Sequence, residues 1–279
     1  VLPNLILTPQ QVLNFRKKIY EFYGAHKRHF LWRETISDYH VFISEVMLQQ
    51  TQTTRVTIKF QQWLQKFPSF ESVASASNHE ILVAWQGLGY NRRGLALQKA
   101  ACMIVRDFAG QLPRDTKLLQ LLPGIGPNTA GSICAFAFNM PVTFIETNIR
   151  TVFLHEFFTG ITDVHDQQIL SLVAQTVDHL DARNWYYALM DYGVHLKKTV
   201  KVNNSASKHY TRQSKFIGSR REVRGSIVRI LTKAFRLSHD QLVEMVQLEI
   251  PHNQQNIELV LQQLLSQEFL HVENDIYFL

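Results

Sequence analysis

Cysteine is nearly absent: Cys102 and Cys134 are the only two in 279 residues. Two thiols exclude a disulfide framework, a four-cysteine zinc site and a cysteine-held iron–sulfur cluster. Both fall in helical apolar patterns, so buried, reduced thiols are expected. Charge is scarce as well. At 19% charged and 46% apolar, the composition is that of a chain with a packed core, not of a disordered one. No apolar run is long enough to span a bilayer, so no membrane association is expected. The opening Val1–Thr8 stretch has no basic flank and is short for a secretory signal. A reducing setting, cytoplasmic and nucleoid-associated, is the expectation. Of the two signs of charge, acid is the rarer. The net charge of +6 favours a polyanionic partner without requiring one.

Against these absences one stretch stands out, Leu121-Leu122-Pro123-Gly124-Ile125-Gly126-Pro127-Asn128-Thr129-Ala130-Gly131. It reads helix, tight turn, helix. Asp115 to Gln120 forms a short helical pattern that Pro123 ends. Gly124 and Gly126 flank Ile125, which can plug the turn from below, and a glycine can adopt positive φ. The small and apolar run from Thr129 to Phe138 then begins a second helix. Backbone N–H groups at such a start, uncovered by side chains, suit a phosphate oxygen. The expected phosphate-side residues are Leu122, Gly124, Ile125, Gly126, Asn128 and Thr129. With two glycines alone, an ordinary turn between core helices would be the better explanation of the stretch; the full LPGIGxxTA string is what sets it apart.

The rest of the first two hundred residues reads as all-α. Thr8-Pro9 is a helix start, with Val12, Phe15, Ile19 and Phe22 at helical spacing. Tyr23 to Arg33 is basic and aromatic. Further helices are expected after Ser37 or Asp38, through Ile58–Phe67, from the Ser75-Ala76-Ser77-Asn78 stretch, over Arg92–Phe108, near Glu146, over Asp166–Leu180 and over Asn184–Lys197. The segment 197–219 then holds six Lys and Arg and no acid, with Asn and Ser between them, and reads as a linker or as a strap along a phosphate backbone. Lys197 and Lys198 open it. Residues 220–279 form a second unit of three helices and a terminal hairpin turning about Glu273-Asn274-Asp275. That unit looks like a winged helix, a fold that binds DNA in some proteins and docks proteins in others. No internal repeat is present.

Two carboxylates are candidates for chemistry. Glu45 sits in Ile43-Ser44-Glu45-Val46-Met47-Leu48, where apolar neighbours would desolvate it, raise its pKa and let it hold a proton as a general acid. An exposed Glu, or one paired with Arg55, is the plainer alternative. Glu146, in Phe144-Ile145-Glu146-Thr147-Asn148, stands at a helix start, where the dipole favours an anion. Taken alone it reads more simply as an N-cap. A protonated and an ionised carboxyl together form the pairing that breaks a glycosidic bond. Gln49, Gln50 and Gln52 follow Glu45 and carry amides suited to exposed base edges. Tyr90, Arg92 and Arg93 follow Gly87-Leu88-Gly89, where a loop-tip aromatic beside arginines suits a wedge between stacked bases.

SEVMLQQTQ, GLGY, LPGIGxxTAGxI and a carboxylate-x-Asn occur here in one order. That order closely resembles the helix-hairpin-helix glycosylases of base-excision repair, nearest to the A/G-mismatch adenine glycosylases, from about Trp32 to Gly193. The resemblance implies an all-α, two-lobed glycosylase core over 1–196 with its site in the cleft between the lobes, then the 197–219 linker and the winged-helix-like unit at 220–279. It implies Glu45 as the acid that protonates adenine, Glu146 and Asn148 as catalytic partners, and Gln49, Gln50, Thr51 and Tyr90 as residues that fill and wedge the stack. It implies a monomer acting on duplex DNA that carries a mismatch or a damaged base.

Four departures qualify it. Glu146 stands where the family has aspartate, and Thr151 replaces a flanking arginine, with Arg150 just before it. Asn128 stands where bifunctional relatives have lysine, so no Schiff base forms there and base removal without strand cleavage is expected. Lys197 and the basic stretch follow Gly193 where four cluster cysteines usually do, so no cofactor is expected. Where such enzymes carry a large 8-oxoguanine-recognition domain, the small winged-helix-like unit is what these residues are expected to form, which leaves other bases (uracil, thymine, hypoxanthine, oxidised pyrimidines) as alternatives. A non-catalytic binder of DNA structure and a winged-helix regulator are the alternatives from other classes.

Overall fold

The computed structural model describes residues 5–34, 37–200, 206–208 and 215–279. Much of the expected basic strap, including Lys201 and Arg212, lies outside the described residues. The chain contacts divide into two units, Val1–Gln49 with Gln111–Thr211, and Gln50–Gly110 with Arg212–Leu279. This cuts across the sequential division expected at 196 and 220, because residues 50–110 group with the C-terminal region.

In chain order the first unit opens with α1 (Pro9–His26), α2 (Leu31–Glu34) and α3 (Asp38–Leu48). The second then contributes α4 (Thr53–Lys66), α5 (Phe70–Ala74), α6 (Asn78–Trp85) and α7 (Arg92–Asp107). The chain returns to the first unit for α8 (Thr116–Leu119), α9 (Pro127–Phe138), α10 (Thr147–Phe157), α11 (Asp166–Thr176) and α12 (Ala182–Thr199). It ends in the second with α13 (Arg220–Ala234), β1 (Leu237–Ser238), α14 (His239–Glu249), α15 (Ile257–Ser266), β2 (His271–Glu273) and β3 (Ile276–Phe278).

The first unit is built on α12, whose face carries the buried Trp185, Tyr186, Leu189 and Leu196. The Trp185 indole meets the ring of Phe15 edge-on from α1 at 5.7 Å, and Phe15 meets Phe153 from α10 at 5.6 Å. Thr8 caps α1 in a reciprocal box with Gln11. The Arg16 guanidinium donates to the Thr176 carbonyl at 2.9 Å and to that of Val177, which satisfies the end of α11. That helix stops before the expected Leu180, because Val177 turns extended and the Asp178 carboxylate accepts from the N–H groups of Leu180 and Asp181. Arg183 donates to the Phe136 and Ala137 carbonyls and so closes the end of α9.

In the second unit the Trp63 and Trp85 rings pack edge to face at 5.7 Å. Gly94 lies flat on Trp85, where a Cβ would come within 2.9 Å of the ring. The module α13–α15 carries an antiparallel sheet in the order β1-β3-β2, with Val272 opposite Tyr277. The sequence pattern anticipated its three helices and hairpin but not β1, a two-residue strand too short to show alternation. This module joins residues 50–110 through α13. Gln86 donates to the Thr232 hydroxyl, and the Phe235 ring stacks on His79 at 4.2 Å. Among the described residues no helix is long and apolar enough to cross a membrane.

Candidate active site

The first unit brings together α3, the α8–α9 hairpin, the start of α10 and the end of α12. The hairpin forms as its sequence suggests, with one difference. The α8 helix ends at Leu119, before Pro123, which lies in the turn. Leu122 and Ile125 are buried pegs, at 2% and 5% exposure, and do not face solvent. Gly124 takes the left-handed conformation at φ 82°, where a side chain would be strained. Gly126 is the N-cap of α9 and no side chain caps the helix. Gly124, Gly126 and Asn128 are exposed, while Thr129 is half-buried. Gln49 ties α3 to this turn, since its amide donates to the Gly124 carbonyl and to the Thr129 hydroxyl, both at 3.1 Å. Asn128 spans in the other direction. Its side-chain oxygen accepts from the Ile145 N–H at 3.3 Å, one residue before Glu146.

Glu45 lies on α3 among Phe42, Ile43, Val46 and Met47, all buried. It keeps partial exposure, yet the protein packed about its carboxyl pushes the pKa up to about 7. Desolvation is the main cause. The nearby charge of Glu146 adds to it, while the Ser132 hydroxyl and Arg33 oppose it. The Ser132 hydroxyl on α9 donates to the Glu45 carboxylate at 2.6 Å. Glu45 is therefore a carboxyl that takes up and releases a proton near neutrality.

Glu146 is handled differently. It is the N-cap of α10 and accepts from the Asn148 and Ile149 N–H groups at 2.8 and 2.9 Å. The Asn148 amide adds a third donor at 3.2 Å. Three N–H groups thus converge on one side chain and use it as a hydrogen-bond acceptor. Thr151, where the resemblance leads to an arginine, is buried and donates to the Thr147 carbonyl. Arg150 pairs with Asp166 at 2.6 Å.

Lys197 does not point away along a strap. Its ammonium donates to the Asn148 side-chain oxygen at 2.7 Å, and Lys198 is the exposed one of the pair. Gly193, one turn earlier on α12, lets the helix touch the Asn148 backbone. A Cβ there would come within 2.4 Å of the Asn148 carbonyl oxygen.

The second unit holds the remaining expected site residues. Gln50 and Tyr90 are both at positive φ, 54° and 47°, unusual for non-glycine residues. Tyr90 and Arg92 are exposed and Thr51 is half-buried. Arg93 donates to the Thr51 hydroxyl at 2.8 Å, and its guanidinium lies 5.5 Å from the Tyr90 ring centre. This anchors the loop that carries the aromatic tip.

Sequence reasoning overlooked Ser132, Arg33 and Asp191. Asp191 is 3% exposed on the apolar helix α12, and it receives Arg28 at 2.7 Å and Arg33 at 3.0 Å. A lone acid in so apolar a helix was the available signal, because a buried carboxylate requires partners. The basic and aromatic stretch from Tyr23 to Arg33 supplies them.

Three comparisons with known proteins bear on this geometry. The profile of the HhH-GPD superfamily base excision DNA repair proteins matches residues 43–195. The adenine DNA glycosylase of Homo sapiens is 35% identical over 195 residues, covering 66% of this chain and 36% of that protein. The adenine DNA glycosylase of Mycobacterium tuberculosis is 37% identical over 131 residues, covering 47% of this chain and 43% of that protein. The chain thus spans less than half the length of these relatives. Among solved structures, a thermostable thymine-DNA glycosylase superposes with a TM-score of 0.60 at 24% identity, over 66% of this chain and 86% of that one. A trapped endonuclease III–DNA covalent intermediate gives 0.59 at 17% identity, over 77% and 93%. At such identities these two likenesses speak for the fold alone.

Proposed function

This chain belongs to the HhH-GPD superfamily of base excision DNA repair proteins, and from that membership we propose that it is a DNA glycosylase. It hydrolyses the N-glycosidic bond of a flipped, mispaired adenine in duplex DNA, opposite guanine or 8-oxoguanine. The observation that carries the reading is the unlike pair Glu45 and Glu146. One carboxyl has a pKa near 7 through burial. The other sits at a helix start under three N–H donors. Glu45 protonates the departing base and then helps activate water. Glu146 faces the positive charge that develops on the sugar, and Asn148 supports that carboxylate. The uncapped start of α9 and the exposed hairpin backbone receive phosphate oxygens. Tyr90 and Gln50 enter the base stack, and Arg92 adds a phosphate contact. The enzyme acts as a monomer.

The reaction ends at base removal. Asn128 offers no amine at the hairpin position that resembles the lysine of bifunctional relatives, and its carboxamide is engaged with Ile145. The chain also works without an iron–sulfur cluster. Its two thiols are Cys102, on α7, and Cys134, buried in α9, whereas such a cluster takes four thiolates.

A panel of duplexes, each holding one mispaired or damaged base, tests the reading. Alkali-dependent cleavage at adenine opposite guanine or 8-oxoguanine is expected, with no cleavage before alkali. Preferential excision of uracil, thymine, hypoxanthine or an oxidised pyrimidine would overturn the choice of base. Absence of excision across the panel would leave a DNA-binding protein.

A further inference from the structure

Lys197 is the last residue of a relay that ends on a reacting group. Its ammonium donates to the Asn148 side-chain oxygen at 2.7 Å, and the nitrogen of the same carboxamide donates to Glu146 at 3.2 Å. An amide has one acceptor end and one donor end. A cation fixed at the oxygen therefore fixes which end meets the carboxylate. The relay rests on packed backbone. Gly193 brings α12 against the Asn148 carbonyl, and Lys197 stands one helical turn further on, on the same face. Glu146 and Arg150 are the charged groups that act on Lys197, and Arg150 is itself paired with Asp166.

We propose that Lys197 is a positioning residue: it holds the Asn148 carboxamide in the orientation that donates to Glu146, and so keeps that carboxylate aimed at the sugar. The proposal rests on the reading of Glu146 given above. It assigns to the residue after the Gly193 turn a task inside the site, in place of a contact with the phosphate backbone. Burial lowers the pKa of the Lys197 ammonium, so the cation is held at a cost that an exposed lysine does not bear.

The test is single-turnover excision from a short duplex carrying one adenine opposite 8-oxoguanine, with DNA affinity measured at the same salt. Four variants are compared with the unaltered chain: Lys197→Met, Lys197→Arg, Asn148→Ala and the Lys197→Met/Asn148→Ala pair. Lys197→Met is expected to slow excision by about 10- to 100-fold with DNA affinity unchanged. Lys197→Arg, which keeps charge and donors, restores most of the rate. The double variant is no slower than Asn148→Ala alone, because both changes break one relay. Additive losses overturn the proposal. So does weakened DNA binding with a shallower salt dependence, the signature of a phosphate contact. Should Lys197→Met not fold, the rate of Lys197→Arg decides, and a loss equal to that of Asn148→Ala counts against the relay. Glu146→Gln separates the two levels. If it excises normally, or the unaltered chain excises nothing, the reading of the site fails and the relay with it. If Glu146→Gln is inactive and Lys197→Met is normal, the relay alone fails.

Discussion

The turn of α3 that carries Glu45 and the start of α10 that carries Glu146 give the same functional group two different surroundings within one unit. At Glu45 the neighbours are Phe42, Ile43, Val46 and Met47, and the Ser132 hydroxyl reaches the carboxyl. At Glu146 the neighbours are the N–H groups of a helix start and an amide. The first surrounding leaves the proton bound until about pH 7; the second supplies donors only. The second surrounding also acts on the first, because the charge of Glu146 raises the pKa of Glu45. The two carboxyls thus differ in what the fold brings near them, not in their side chains, which are identical.

The largest test of this contrast is Glu45→Gln. Removing the acid is expected to lower single-turnover excision by about 10²–10⁴-fold, with DNA binding kept. The same change should stabilise the fold at alkaline pH. The folded-state pKa of Glu45 lies above its ordinary 4.5. Between that value and about 7 the folded chain therefore holds more protons than the unfolded one, and stability falls as pH rises through this window. Glutamine does not ionise, so melting curves at pH 8 should favour the variant by on the order of 1–2 kcal/mol, screened by the partial exposure. At pH 4.5 and below the difference should vanish. An equal effect at both pH values would mean that the site does not penalise the ionised form.

Next in size is Glu146→Ala. It removes both the anion and the cap, so two readouts should move together. Excision is expected to fall by about 10²–10³-fold, and chemical denaturation should show a loss of about 1 kcal/mol from the uncapped α10. A stability loss with normal excision would reduce Glu146 to a cap.

How far this contrast was legible in the sequence differs between its two sides. Apolar flanks on one helix suffice to anticipate that Glu45 is desolvated, since helical neighbours are fixed by spacing. Glu146 reads as a helix start for the same local reason. What spacing does not carry is who faces whom across the fold. Ser132 looks like one more small residue of α9, and its bond to Glu45 depends on how α3 and α9 pack. Lys197 reads as the first residue of a basic run, because composition reports the stretch and not the inward turn of one side chain. Leu122 and Ile125 read as part of a phosphate-side turn, whereas the turn needs them as its buried floor. The units themselves were less legible than the elements, since residues 50–110 join a module that follows more than a hundred residues later.

Gly193→Ala tests the backbone side of the contrast. The added Cβ meets the Asn148 carbonyl, a backbone atom that cannot swing aside. Helix α12 must shift, at a cost of about 1–3 kcal/mol, read as a drop in melting temperature. Because the clash falls on Asn148, excision should also slow, by about tenfold, whereas a change that only loosened packing would leave the rate of the folded fraction intact.

The smallest effect expected is also the most specific. Ser132→Ala removes the hydroxyl that lowers the pKa of Glu45 and leaves the desolvation and the charge of Glu146 to act without it. Stability should change little, because alanine favours the helix and the lost hydrogen bond is worth about 1 kcal/mol. The pH profile should move instead. An acid that must be protonated loses activity as pH rises through its pKa, so excision by the unaltered chain should decline above about pH 7. In Ser132→Ala the decline should begin at higher pH. Glu146→Gln, which removes a charge that raises the same pKa, should move any measurable residual decline to lower pH. Opposite displacements from these two substitutions can arise only if both groups act on the proton of Glu45, and a shared direction would mean that the decline belongs to another group.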